Sequence, residues 1–411
     1  MMRLQKVVFL VIFFAALALP ALHFLGVEES WHRIYGSERV PKAPDFTFKG
    51  FVDRSYQSTL TEHFSKAFLL RHTFYTTARQ INEIANFGLF HAAGYAGGTI
   101  EGKPFDARGV GVIFEDPYAK NHLLCKKPFK PERFAKSIAL LKDFDAFCRT
   151  NGMDFVFQAV PDKLQAYPDY VPDWMKWVWN YENFPVQTHV AKLFNENGIK
   201  TIDGVTFFND LRKETKLWLY PPGGTHMTCL ASARLQSEIV RRVNAAGRIH
   251  LEDNPIVDVV ERPDAIWSVD NDISLLLNTW YNPHVDTNCH YFPVFQKKGK
   301  KVLNAGSVFI IGDCYRDQMS QIFAESGLFA KEKIQTSRRV DQKPEHFARI
   351  IGDLKLVVLT FQSFNTGLLR DDEKFYTTDP NYDVYAELQM IFSALKTAKL
   401  ASLKQAIPGF R

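Results

Sequence analysis

Apolar residues along this chain follow two rhythms. Short unbroken runs alternate with stretches in which apolar positions recur at helical spacing. Residues 154–160 (DFVFQAV), 307–311 (SVFII) and 354–361 (LKLVVLTF) belong to the first kind and predict strands. The last is apolar enough to lie centrally in a parallel sheet. Further strands are predicted at 110–114, 200–203, 256–260 and 302–308. Helical spacing marks 131–151, with Ile138, Leu141, Phe144 and Phe147 on one face, and 187–197, ended by Gly198. It also marks 207–212, the stretch from 228 (Leu230, Leu235, Ile239, Val243), the stretch from 317 (Met319, Ile322, Phe323) and 386–403. Residues 57–87 form a long helical pattern lying across the body, 92–111 a Gly-rich loop or hairpin, and 274–277 a short helix. Helices and strands in alternation predict an α/β fold: a three-layer, flavodoxin-like sandwich with a mainly parallel sheet and N-terminal helical additions.

Size and composition narrow the class. A chain of 411 residues with 46% apolar content supports one large domain with additions, or two domains. The formal charge of +5 comes without a dense Lys/Arg run, which argues against a nucleic-acid partner, and the 35 Phe are spread as core residues are. Arg3 and Lys6 precede an apolar run from 7 to 19 that continues less cleanly to 25. The whole run is long enough for one membrane span, and its cleaner part has signal-peptide length, with Ala16-Leu17-Ala18 as a cleavage-type sequence. Residues 1–27 are therefore expected to be a signal anchor or signal peptide, the anchor being the expectation, with 28–49 a linker carrying Pro41 and Pro44. Residues 50–411 would be a domain outside the cytoplasm, periplasmic or extracytoplasmic and held at the inner membrane.

Five cysteines (Cys125, Cys148, Cys229, Cys289 and Cys314) leave at least one thiol outside any bridge. If that one is Cys314, the other four allow up to two disulfides. No CxxC pair is present, and His284, Asp286 and His290 in YNPHVDTNCH read as a solvated loop. No metal and no cofactor is assigned.

Candidate chemistry sits at two turns. In 307–330 a strand, the turn Gly312-Asp313 and a helix follow one another, with Cys314 at the corner. N–H groups at a helix start suit an oxyanion, and the positive helix end lowers a thiol pKa. A buried Cys closing a Rossmann-like strand is the alternative. His226 stands at the end of Pro221-Pro222-Gly223-Gly224-Thr225, on a turn before another helix. Gln362 and Asn365 follow the most apolar strand at the C-terminal edge, where α/β sheets bind ligands. The aromatic stretch 167–181, with Trp174, Trp177 and Trp179, reads either as a sugar-stacking surface or as a loop packed on the core.

These pieces, in this order, resemble the SGNH-hydrolase-like proteins of polysaccharide O-acetylation, of the alginate O-acetyltransferase AlgJ/AlgX type. The resemblance runs through the N-terminal anchor, Leu69-Leu70-Arg71, Val160-Pro161-Asp162-Lys163 with Tyr167-Pro168, the stretch from Tyr220 to His226, Ile311-Gly312-Asp313-Cys314 and the strand at 356–361. It implies an SGNH-type fold, an exported polysaccharide as acceptor and a membrane-bound O-acyltransferase as partner. In that family an Asp-x-His pair and a serine corner form the catalytic triad. Here His226 matches the base, Cys314 stands at the serine position, Gly224 at the aspartate position, and Met227 replaces a Trp that often follows the His. Cys314 would carry the acyl group with His226 as general base, while backbone N–H groups, Tyr315 and Arg316 serve the oxyanion or substrate and Asp203, Asp210 or Asp313 stands in for the missing acid. A thiolate–imidazolium pair is already charge-separated and leans less on that acid. The alternatives are a catalytically inactive scaffold or polysaccharide-binding member of an acetylation complex, and an extracytoplasmic acyl esterase.

Overall fold

A computed structural model of the chain describes residues 99–104, 111–115, 130–170, 186–215, 217–262, 267, 291–297, 302–337, 351–362 and 384–406, with scattered positions between 45 and 61. The chain divides into two compact units, residues 1–91 with 273–283 and residues 92–272 with 284–411. The second holds the sheets. The expected anchor at 1–27, Leu69-Leu70-Arg71, Trp174 to Trp179, the 274–277 helix, His284, Asp286, His290 and Asn365 lie outside the described residues. Among the described residues no helix is long and apolar enough to cross a membrane.

Two strands, β1 (Thr99–Pro104) and β2 (Gly111–Glu115), pair antiparallel, so the Gly-rich segment is a hairpin. A 3-10 turn leads into α1 (Ala135–Thr150), followed by β3 (Asp154–Val160) and the one-turn helix α2 (Lys163–Ala166). Next come α3 (Val186–Glu196), β4 (Thr201–Asp203), α4 (Gly204–Glu214) and α5 (Cys229–Ala246). Strands β5 (Ile256–Glu261) and β6 (Tyr291–Phe295) precede β7 (Ser307–Gly312) and α6 (Tyr315–Glu325). The last elements are β8 (Ile334–Ser337), β9 (Leu354–Gln362) and α7 (Val384–Ala406).

The main sheet has the order β4-β3-β9-β7-β8, with every pairing parallel. Strand β9 fills the centre between β3 and β7, as its nearly unbroken apolar sequence requires. In a 2-1-3-4-5 winding the last strand would lie at an edge instead. Alternate residues of the central strands serve two cores. Val156, Val308, Ile310, Leu356 and Val358 face α4, α5 and α6, while Phe155, Phe157, Phe309, Val357 and Leu359 face α1, α3 and α7. The fold is thus a three-layer α/β sandwich. On the second side Phe392 of α7 stacks on Phe144 of α1 with centroids 3.6 Å apart, and Phe155 meets Phe144 edge-on at 5.4 Å.

Two sequence expectations, the start of the strand near 302 and the start of α4, are revised. The strand predicted from 302 begins only at Ser307, because the N–H groups of Leu303 and Asn304 bond the Gly327 and Leu328 carbonyls and Gly306 turns the chain at φ +102°. The expected face of α1 packs on the core, with Leu141 and Phe144 buried and Ile138 and Phe147 against them, and Ser137, Asp145 and Cys148 are buried beside it. Asp145 is drawn inward by Arg248, whose Nη1 and Nη2 bond it at 2.6 and 3.2 Å. Helix α4 starts before 207 because Asp203 caps it, accepting from the N–H of Val205 and Thr206. Strand β5 falls where a strand was expected and pairs with β6 in a two-stranded sheet of its own.

A buried ion cluster closes the pole where β3 begins. Asp154 and Asp145 are held by Lys200, Arg248 and Arg149. Cys148 and Cys229 are thiols rather than halves of the two bridges the cysteine count allowed. Burial, with Asp145 and Asp154 adding to it, drives the Cys148 thiol far above its ordinary pKa and makes it inert.

Candidate active site

The C-terminal ends of β3, β9 and β7 share one rim of the sheet. At β7 the backbone must pass close under β9. A Cβ on Gly312 would stand 1.9 Å from the Thr360 carbonyl oxygen, so only glycine fits. Asp313 and Cys314, both half-buried, then turn the chain into α6. Cys314 occupies the helix N-cap with φ −60° and ψ −24°, an unstrained conformation, and its side chain makes no capping bond. Capping falls to Asp313, whose Oδ1 accepts the N–H of Tyr315 at 3.1 Å. The N–H groups of Arg316 and Asp317 bond the carbonyls of Asp313 and Cys314, each at 3.2 Å.

A second segment, 218–228, runs along the same rim and is fixed from three sides. The Tyr167 hydroxyl accepts the N–H groups of Leu219 and Tyr220, at 2.6 and 3.3 Å. Tyr220 donates to the Pro161 carbonyl, and Lys163 Nζ donates to the Pro222 carbonyl at 2.9 Å. Thr228 ends the segment. Its Oγ accepts the Ala231 N–H as N-cap of α5 and donates to the Trp218 carbonyl. From α6, Tyr315 donates its hydroxyl to the Thr225 carbonyl at 2.7 Å, and Gln318 Nε2 donates to the Met227 carbonyl at 2.8 Å.

His226 therefore lies between two carbonyls that are both bonded by α6. Its half-buried ring sits 5.2 Å from the Tyr315 ring, centroid to centroid, tilted by 40°. Tyr315 is the residue after Cys314. The fold thus brings the imidazole turn and the thiol turn, distant in sequence, to the first turn of one helix. Gly224 is buried within the turn, where its N–H bonds the Pro221 carbonyl.

Other expected site residues fall differently. Tyr315 is fully buried and its hydroxyl donates to the Thr225 carbonyl, so the side chain ties α6 to the 218–228 segment. Likewise the N–H groups of residues 315–317 are engaged within the corner at rest. Arg316 is turned inward. Its Nη1 donates to the Asp313 carbonyl at 2.9 Å and to the Gly312 carbonyl at 3.4 Å, and Nη2 pairs with Asp317 at 3.0 Å. Asp203 is consumed as the α4 cap, and Asp210 pairs with exposed Lys213 at 2.7 Å. Of the three carboxylates considered as substitutes for the missing acid, only Asp313 stands at the corner. Gln362 ends β9 level with Val160 of β3. Burial pushes the Tyr220 hydroxyl well above its ordinary pKa, so it remains a neutral donor. Among the described residues no group of three His, Cys, Asp or Glu side chains could hold a metal ion.

Sequence reasoning named Lys163 within a motif without giving it a role and missed Gln318. A signal existed for each. Asp162 and Gln165 form a reciprocal capping box that fixes the turn carrying Lys163. Gln318 is a glutamine on the buried side of a short amphipathic helix, where an apolar residue is the default.

No family model matches the chain, and no curated protein does either. Similar solved structures include the O-acetyltransferase domain of Pseudomonas putida AlgJ, at 10% identity and TM-score 0.40, covering 68% of this chain and 95% of that one. Pseudomonas aeruginosa AlgX matches at 12% identity and TM-score 0.44, over 69% of this chain and 65% of its own. Bacillus cereus PatB1 matches at 13% identity and TM-score 0.39, over 59% and 92%. Likenesses of this extent decide neither activity nor substrate.

Proposed function

We propose that the chain is an extracytoplasmic acyltransferase that O-acetylates an exported polysaccharide, with Cys314 as nucleophile and His226 as general base. One observation supports the pairing above the rest. The backbone on both sides of His226 is bonded by Tyr315 and Gln318, on the helix that Cys314 begins. The ordered motifs of the sequence support the acetyl group, the polysaccharide acceptor and a membrane-bound O-acyltransferase as donor.

In this reading His226 takes the proton from the Cys314 thiol. The thiolate adds to the acetyl carbonyl of the donor, and the donor's leaving group departs with the proton from the imidazolium. A thioester on Cys314 results. A polysaccharide hydroxyl then gives its proton to His226 and attacks that thioester; the Cys314 thiolate leaves and recovers the proton. The oxyanion in each half is met by the Tyr315 N–H once the Asp313 carboxylate yields it.

Treatment of the purified protein with a nitrophenyl acetate, followed by peptide mass spectrometry, tests the proposal. The native chain should carry one acetyl group on the peptide containing Cys314. His226→Ala should slow its appearance by about 10²-fold or more. A folded native protein with no acetyl group at Cys314 would remove the nucleophile and the proposal with it.

A further inference from the structure

The corner that presents Cys314 is built on a buried cation. Arg316 is only 6% exposed, although an arginine is almost never fully buried unless paired. Its guanidinium does not face outward from the helix. It folds back beneath the turn, where Nη1 bonds the carbonyls of Gly312 and Asp313, the two residues immediately before Cys314. The Asp313 carbonyl belongs to the same peptide unit as the Cys314 nitrogen, so the positive charge lies one hydrogen bond and one peptide from the thiol-bearing residue. Its counter-charge Asp317 is 60% exposed and screened by water.

We infer that Arg316 is a positioning residue for the reaction proposed above: it locks the strand-to-helix corner by its two carbonyl bonds and favours the thiolate of Cys314 by its charge. Lysine could not do both. The guanidinium fork spans two carbonyls and a carboxylate in fixed geometry, whereas an ammonium acts as a point charge. The inference rests on Cys314 being the nucleophile. Other charged and titratable groups around the corner are Asp313 in the turn, Asp317 on α6, His226 beside Tyr315, and Lys163 with Asp162 on the turn that holds Pro222. Asp313 and Asp317 oppose a thiolate; His226 as imidazolium and Lys163 favour it. Arg316 is bonded to the corner's own backbone.

The test is the pH dependence of iodoacetamide alkylation at Cys314, read on its own peptide by mass spectrometry so that the other cysteines do not interfere. Native protein, Arg316→Lys and Arg316→Met are compared after circular dichroism confirms folding. The native midpoint should fall below the ordinary thiol value of roughly 8.5, and Arg316→Met should raise it by about one pH unit. Arg316→Lys should raise it by less than half as much. If Arg316→Met fails to fold, Arg316→Gln takes its place, since it keeps an amide donor for the carbonyls and removes only the charge. A folded uncharged variant that titrates with the native midpoint overturns the inference. That failure is separate from loss of the acetyl adduct in native protein, which would overturn the nucleophile reading instead.

Discussion

Replacing Arg248 with methionine should destabilise the fold sharply while leaving the rim untouched. Arg248 bonds Asp145 at 2.6 and 3.2 Å and reaches Asp154 at 3.4 Å. Its side chain is 25% exposed, while those of Asp145 and Asp154 are 4% and 0% exposed. After the substitution Asp154 keeps Lys200 and the Phe155 N–H, whereas Asp145 keeps only Arg149, which is 59% exposed. Removing one partner of a buried pair costs roughly 3–5 kcal/mol because the other charge stays buried. The surviving Arg149 and the access of water to this edge place the cost at the lower end, about 3 kcal/mol. At about 2.1 cal/mol/K per residue, a unit of roughly 300 residues loses about 1.5 °C per kcal/mol, so thermal unfolding followed by circular dichroism should show Tm lowered by about 4–5 °C. Adding Asp145→Asn removes the stranded charge and should recover about half of the loss. Alkylation of Cys314 should not change, because β3 runs six residues from Asp154 to the rim, roughly 20 Å. A loss under about 1 kcal/mol, or a double variant no better than the single one, would refute the reasoning.

Two further outcomes rest on contacts elsewhere in the sheet. Gly312→Ala would set a methyl group 1.9 Å from the Thr360 carbonyl oxygen, inside the backbone of the central strand. It should cost about 3 kcal/mol in urea unfolding and displace the corner, so that Cys314 alkylates more slowly. At Asp353, burial pushes the carboxyl up, but hydrogen bonds from Lys333 and Ser307 outweigh it and hold the pKa below its ordinary value. A folded pKa below the unfolded one gives stability that is present above the unfolded carboxylate pKa and lost as pH falls through the folded value. Melting temperatures measured from pH about 5 downward should therefore fall less steeply for Asp353→Asn than for the native chain.

Much of the scaffold was legible because a strand buried on both faces leaves an unbroken apolar run. Residues 154–160 and 307–312 show this, and 354–362 shows it most clearly. Strand β8 (IQTS) has one apolar residue and no such signature, and it lies at the sheet edge. The central placement of β9 depends on pairings far apart in sequence, which local periodicity does not carry. That Asp145 joins the buried side of α1 depends on a partner, Arg248, that lies 103 residues away. At the rim, His226 and Cys314 could be singled out because each follows turn residues and precedes a helix. What joins them could not. Lys163, Tyr315 and Gln318 act through backbone carbonyls of a remote loop, and a carbonyl leaves no trace in sequence. Arg316 was expected to serve the oxyanion or substrate; its carbonyl partners turn it inward instead.

The most direct test of a Cys314–His226 acyl-transfer site is the O-acetyl content of the polysaccharide exported by cells that lack this chain and are complemented with variants of it. The account predicts that the native chain restores acetylation, whereas Cys314→Ala and His226→Ala, each present at native abundance, restore none. Full acetylation by Cys314→Ala would contradict it and leave the protein a scaffold.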